Sequence, residues 1–169
     1  MAGGIAAVAM GVVGCTNITD GTPAADTSQA PAYRSSVSAS EATSSIRETQ
    51  RQQSITTEAV VGSCTHFAMS SKDAVDVVNK YVQAFNNGGD IAATAEAAIA
   101  ALNLSADEVD GVINDKLSTE MTSAFQAYTQ AARAVAAAIS SKAPISVYNA
   151  RKDELNQARD TGIQLCKAF

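Results

Sequence analysis

From Ala74 onward, apolar residues recur at spacings of three and four, the repeat of helices with one buried face. The spacing predicts a first helix opening at Ser70-Ser71-Lys72-Asp73. Ser70 stands at the N-cap with an acidic residue three places on, and Ala74, Val78, Tyr81, Val82 and Phe85 share the buried side. Asn86-Asn87-Gly88-Gly89 stops it. Asp90 is placed to cap a second helix whose apolar side is Ile91, Ala95, Ala98, Ile99 and Leu102, ending at Asn103. Ser105-Ala106-Asp107-Glu108 has the form of a further capping box. It opens a stretch in which Val109, Val112, Ile113, Leu117, Met121, Phe125, Tyr128, Ala132, Val135 and Ile139 carry the pattern to Lys142. That stretch is one long helix or two joined near Ser118. Pro144 ends it and suits the first turn of a final helix, where Tyr148, Leu155, Ala158, Gly162, Leu165 and Phe169 share a face. Four helices with short connections predict an all-α, up-down four-helix bundle over residues 58–169.

Towards the N-terminus the pattern changes twice. Residues 5–14, Ile-Ala-Ala-Val-Ala-Met-Gly-Val-Val-Gly, form a small, apolar run. It is too short for a hydrocarbon core that needs about 20 residues, and reads as the hydrophobic part of a secretion signal over residues 1–14. The run closes on Val12-Val13-Gly14-Cys15, which resembles a bacterial lipobox. The resemblance implies that Cys15 is lipidated, with palmitate-type acyl chains, and becomes the mature N-terminus on the outer face of the plasma membrane. No Lys or Arg lies between Met1 and Cys15, so the natural start is expected upstream, or the chain is trimmed. Residues 16–57 are dominated by Ser, Thr, Ala and Gln, with Pro23 and Pro31 and few large apolar side chains. Such a segment cannot offset its ordering entropy by burial, so residues 15–57 are expected to form a disordered, flexible tether beyond the lipidated Cys15. As a random coil it would reach on the order of 35 Å. Thr22-Pro23 suits O-glycosylation.

With Cys15 carrying the lipid, Cys64 and Cys166 remain, one before the first predicted helix and one near the end of the last. In an up-down bundle those points fall at the same end, which predicts a disulfide outside the cytoplasm. Closing a loop of roughly 100 residues contributes on the order of 4 kcal/mol.

Composition agrees with a helical core. The 169 residues are 46% apolar, largely alanine, with no Trp and only 5% aromatic. The formal charge is −5, without a Lys/Arg run or an aromatic-studded basic face, so nucleic acid is excluded as the main partner. The Ala-rich stretches 92–101 and 131–138 mark places where helices can approach closely.

Candidate chemistry is sparse. His66 is the single histidine. Cys64-Thr65-His66 could supply two metal ligands or an imidazole-activated thiolate, but no third partner stands near in sequence, and His66 is expected at the surface. Aligning Gly111 with the sixth position of a calcium loop puts Ala106 first and Leu117 twelfth, where carboxylates are required, so the acidic run at 107–110 is read as a solvated first turn. Tyr81, Tyr128 and Tyr148 fall on apolar faces and are read as core. No catalytic residue, metal or cofactor is expected, and no C-x-x-C, G-x-S-x-G, H-E-x-x-H or phosphate loop occurs.

The layout as a whole, short signal, lipobox, tether and Ala-rich helical domain with two cysteines, resembles the small secreted lipoproteins of mycobacteria and related actinobacteria. This implies a cell-envelope protein; the anchor, the tether and the lack of catalytic groups point to a non-enzymatic role. It would act as an interaction or accessory module for a protein partner in an envelope or membrane complex; the alternative is a carrier of a lipid or other apolar ligand between the helices. A cavity of several hundred Å³ lined by Val, Ile, Phe and Tyr would favour the carrier, and a solid core with an exposed apolar patch the interaction module.

Overall fold

Between Pro31 and Pro144 the chain has no proline, so nothing in the backbone forbids helix over that length. In the computed structural model, which describes residues 30–169, it is used almost throughout: α1 (Ala30–Asn87), α2 (Ile91–Gly111), α3 (Thr119–Ser140) and α4 (Ile145–Ala168). Contacts divide the chain into two units, Met1–Ser45 and Ile46–Phe169, and the second holds the bundle. The expected signal segment, Cys15 and the tether up to residue 29 lie outside the described residues.

The expected tether is helical over residues 30–57. In the first unit Pro31 sits in the opening turn, where its missing N–H costs no hydrogen bond. The hydroxyls of Ser35 and Ser36 donate to the carbonyls three residues back, each at 2.8 Å. In the second unit Arg51 donates twice to the Glu48 carboxylate, at 2.9 and 2.7 Å, and Gln52 once, at 2.8 Å. The Arg51 bonds first, then that from Gln52, hold the Glu48 carboxyl down at about 2. Low apolar content tells whether a segment can bury surface. It does not tell whether the segment can extend a helix already nucleated by packing further on, which costs only a few tenths of a kcal/mol for each Ala, Glu, Arg, Gln or Ser. Exposure follows the burial reasoning: residues 31–55 are exposed throughout.

The first packed helix therefore does not begin at Ser70. Ser70 and Ser105, each read as the start of a helix, both lie inside one, buried at 8% and 3% exposure, and the Ser70 hydroxyl donates to that of Ser105 at 2.9 Å. Ser105 Oγ and Tyr128 Oη are 2.7 Å apart, which completes a chain of three hydroxyls through the core. The Ser-x-x-acid pattern is short enough to occur mid-helix, and here the hydroxyls are satisfied across helices rather than by a helix N-terminus. Other local signals act where they stand. Asp90 accepts from Ala93 N at 3.0 Å and caps α2, and Ser118 accepts from Met121 N at 3.1 Å and caps α3. The 105–142 stretch is thus two helices, and α2 runs past Asn103 to Gly111.

Phe67, Phe125 and Tyr128, all fully buried, form the centre of the bundle. Phe67 stacks on Phe125 with ring centroids 4.3 Å apart and meets Tyr128 edge-on at 5.1 Å. Around them lie Leu102, Val109, Val135 and Leu155, with Ala98, Ala106 and Ala132 fully buried between helices. Gly162 in α4 faces Phe67, and a Cβ there would stand 2.5 Å from Phe67 Cζ, so glycine is what lets α4 close on this ring. The pairings Phe67 with Gly162 and Tyr81 with Tyr148 run in opposite senses along the two helices, as antiparallel packing of α1 and α4 requires. Together with the short connections after α1, α2 and α3, this makes an up-down four-helix bundle.

Candidate functional site

The two ends of the bundle differ. At one end a disulfide joins Cys64 of α1 to Cys166 of α4, with the Cα atoms 5.6 Å apart. Nearby, Ser63 donates to the Val112 carbonyl at 2.8 Å, and Asn114 donates to Ser63 Oγ at 2.9 Å, which ties the α2–α3 connection to α1. Cys64 lies well inside α1 rather than before it, but the pair meets as the topology predicted. His66 is exposed on α1 and approaches no metal-ligand set; among the described residues no group of three or more His, Cys, Asp or Glu could hold a metal ion. Asp107 and Asp110, from the acidic run, both accept from Arg133 Nη2 of α3, at 2.8 and 2.7 Å. Also among the described residues, no helix is long and apolar enough to cross a membrane.

At the opposite end α1 and α3 finish, α2 and α4 begin, and the packing opens. The four helix ends enclose a cleft of about 660 Å³, within the size range of small-molecule sites. Tyr81, Val82 and Phe85 come from α1, Ile91 and Ala95 from α2, Ile139 from α3 and Tyr148 from α4. Phe85 and Ile91, read as buried face positions, are 47% and 41% exposed at its rim, and Ile145, 61% exposed, extends this apolar edge. The Tyr148 ring packs edge-on against Tyr81, with centroids 6.0 Å apart, while its hydroxyl is buried with no hydrogen-bond partner among the described residues. Burial, and secondarily the neighbouring Tyr81, push the Tyr148 hydroxyl up to about 12.

The helix ends that frame the cleft close in the same way. After α1, Gly88 takes a left-handed conformation, φ 71°, and Gly89 N donates back to the Ala84 carbonyl at 2.8 Å. After α3, Lys142 takes it, φ 52°, with Lys142 N donating to Ile139 O at 3.0 Å and Ala143 N to Ala138 O at 2.9 Å. A lysine here costs roughly 1 kcal/mol more than a glycine. Lys142 is one of the residues that line the cleft.

The family model for the Rv2240c four-helix bundle domain matches residues 46–167. The chain belongs to this family. A relative, "Uncharacterized protein MT2300" of Mycobacterium tuberculosis (strain CDC 1551 / Oshkosh), is 52% identical over 170 residues, which cover 98% of this chain and 87% of the relative. No solved structure matches the chain. The part matched to the Rv2240c four-helix bundle domain contains the disulfide, the hydroxyl chain and the whole cleft. Sequence reasoning reached Tyr81, Val82, Phe85, Ile91, Ala95, Ile139 and Tyr148 as positions on buried faces. It had no signal for the cleft, because whether four helix ends meet or gape depends on how far each helix runs.

Proposed function

We propose that this member of the Rv2240c family is a non-enzymatic, lipid-anchored binding protein of the cell envelope whose end cleft carries an apolar small molecule. The observation that supports the reading is the cleft itself: about 660 Å³, lined largely by Tyr, Val, Phe, Ile and Ala, with a buried hydroxyl that has no hydrogen-bond partner among the described residues. Concave, mostly apolar sites with a few converging polar groups are where small molecules bind. That moves the weight from the interaction module to the carrier. The disulfide suits an oxidising compartment, and the resemblance of residues 12–15 to a lipobox supplies the anchor at Cys15.

Organic extraction of the protein purified from native membranes, followed by mass spectrometry, tests the reading. A carrier should release a defined apolar molecule that is lost when Ala92→Phe fills the cleft in a protein of unchanged helicity. Release of nothing beyond bulk membrane lipid, from wild type and variant alike, would refute it. The anchor is tested separately, since Cys15→Ala should move the protein out of the membrane fraction. The interaction module keeps one observation in its favour, the exposed apolar rim of Phe85, Ile91 and Ile145, an arrangement that also suits a protein partner.

A further inference from the structure

We infer that the cleft is specific for a single-chain amphipath with an anionic head group, a long-chain carboxylate or phosphate monoester, its tail lying between the helices and its head held by Lys142. This rests on the reading of the cleft as an apolar-ligand site and adds the chemical class of the ligand.

Three observations carry it. Among the cleft-lining residues Lys142 alone is charged, and no acidic side chain lines the cleft, in a chain of net charge −5. A site that departs in sign from the molecule around it is complementary to an anion. Second, the Lys142 ammonium is available. Among the described residues no carboxylate pairs with it, and it is exposed on the cleft's edge. Third, the residue is held where glycine would be easier. The equivalent turn after α1, at the same end of the bundle, uses Gly88, while the turn after α3 keeps a lysine at φ 52°. Backbone strain at a residue that lines a cleft is where function is to be sought. The N-terminus of α4 adds to the field. Its N-cap is Pro144, which provides no side-chain cap, and its first turn has no acidic residue, so the end of the helix dipole at the cleft's edge is uncompensated. Val82, Ala95 and Ile139 deeper in the cleft present only apolar atoms to a tail.

Equilibrium binding of matched probes to the full chain tests this, with a long-chain fatty acid, its neutral methyl ester and the alkyl phosphate of the same length. One anionic probe or both should bind about tenfold or more tightly than the ester, the effect of one charge-assisted hydrogen bond at a partly exposed site. The tighter of the two identifies the head group. Lys142→Gln should remove the preference while leaving ester binding unchanged. Lys142→Gly should do the same in a protein whose left-handed turn is relaxed, so that the loss is not misread as unfolding. Equal binding of acid, phosphate and ester to the wild type, or a preference that survives both substitutions, would overturn the inference and leave the apolar cleft standing. If no probe binds at all, the apolar-ligand reading falls and the inference with it.

Discussion

Gly162→Ala is the sharpest probe of how this bundle is packed, because one added methyl group sets two known effects against each other. In a helix interior alanine is favoured over glycine by about 0.5–1 kcal/mol. At position 162, however, the new Cβ would stand 2.5 Å from Phe67 Cζ and 2.6 Å from Cε1, against an unstrained carbon–carbon contact of about 3.5–4.0 Å. The Phe67 ring must therefore move by about 1 Å. It cannot do so freely, being fully buried, stacked on Phe125 and met edge-on by Tyr128. Overpacking of this kind costs about 1–3 kcal/mol. The net expectation is a loss of about 1–2 kcal/mol, or roughly 3–8 °C in melting temperature for a domain of this size. Chemical denaturation of the oxidised protein measures it. Gly62→Ala is the control: it also lies in a helix, with nothing within 4 Å of the added Cβ, and should stabilise by about 0.5–1 kcal/mol. Adding Phe67→Leu to Gly162→Ala should cost less than the two single changes suggest, since the smaller side chain makes room. A Gly162→Ala protein as stable as the wild type, or more so, would refute the packing of α4 on Phe67.

Three further outcomes follow from the same geometry. Cys64→Ser opens a disulfide with a sequence separation of 102 and should cost about 4 kcal/mol by the chain-entropy account, with helical circular dichroism retained in the cold and the melting temperature much reduced. Ser105→Ala takes the middle hydroxyl from the Ser70–Ser105–Tyr128 chain and leaves two buried hydroxyls short of a partner, at about 1–3 kcal/mol; adding Ser70→Ala and Tyr128→Phe should recover part of this. Tyr148 ionises at about 12 in the folded protein against an ordinary 10, so its contribution to stability is fully present below pH 10 and fades as pH rises towards 12. Tyr148→Phe should flatten the pH dependence of unfolding in that window, and an unchanged alkaline profile would count against the burial of this hydroxyl.

The class of the fold and several of the helix stops were legible in the residues alone. Asn86 to Gly89, Asp90 and Pro144 act through backbone conformation and bonds to the nearest N–H groups, so they work in the folded protein as they read in the chain. The three-and-four spacing likewise placed Leu102, Phe125, Tyr128, Val135 and Leu155 in the core, and the bundle topology brought Cys64 to Cys166. Tertiary structure alone decided the rest. Ser70 and Ser105 look like caps over four residues; what makes them interior is a partner 35 positions away in sequence, and a local pattern has no access to it. The helical course of residues 30–57 depends on continuity with a packed helix, which composition does not register. The cleft exists because four helix ends leave space between Tyr81, Ile91, Ile139 and Tyr148. Empty volume is a property of distances between elements, and Lys142 becomes a candidate head-group ligand only because the chain turns left-handed beside that space.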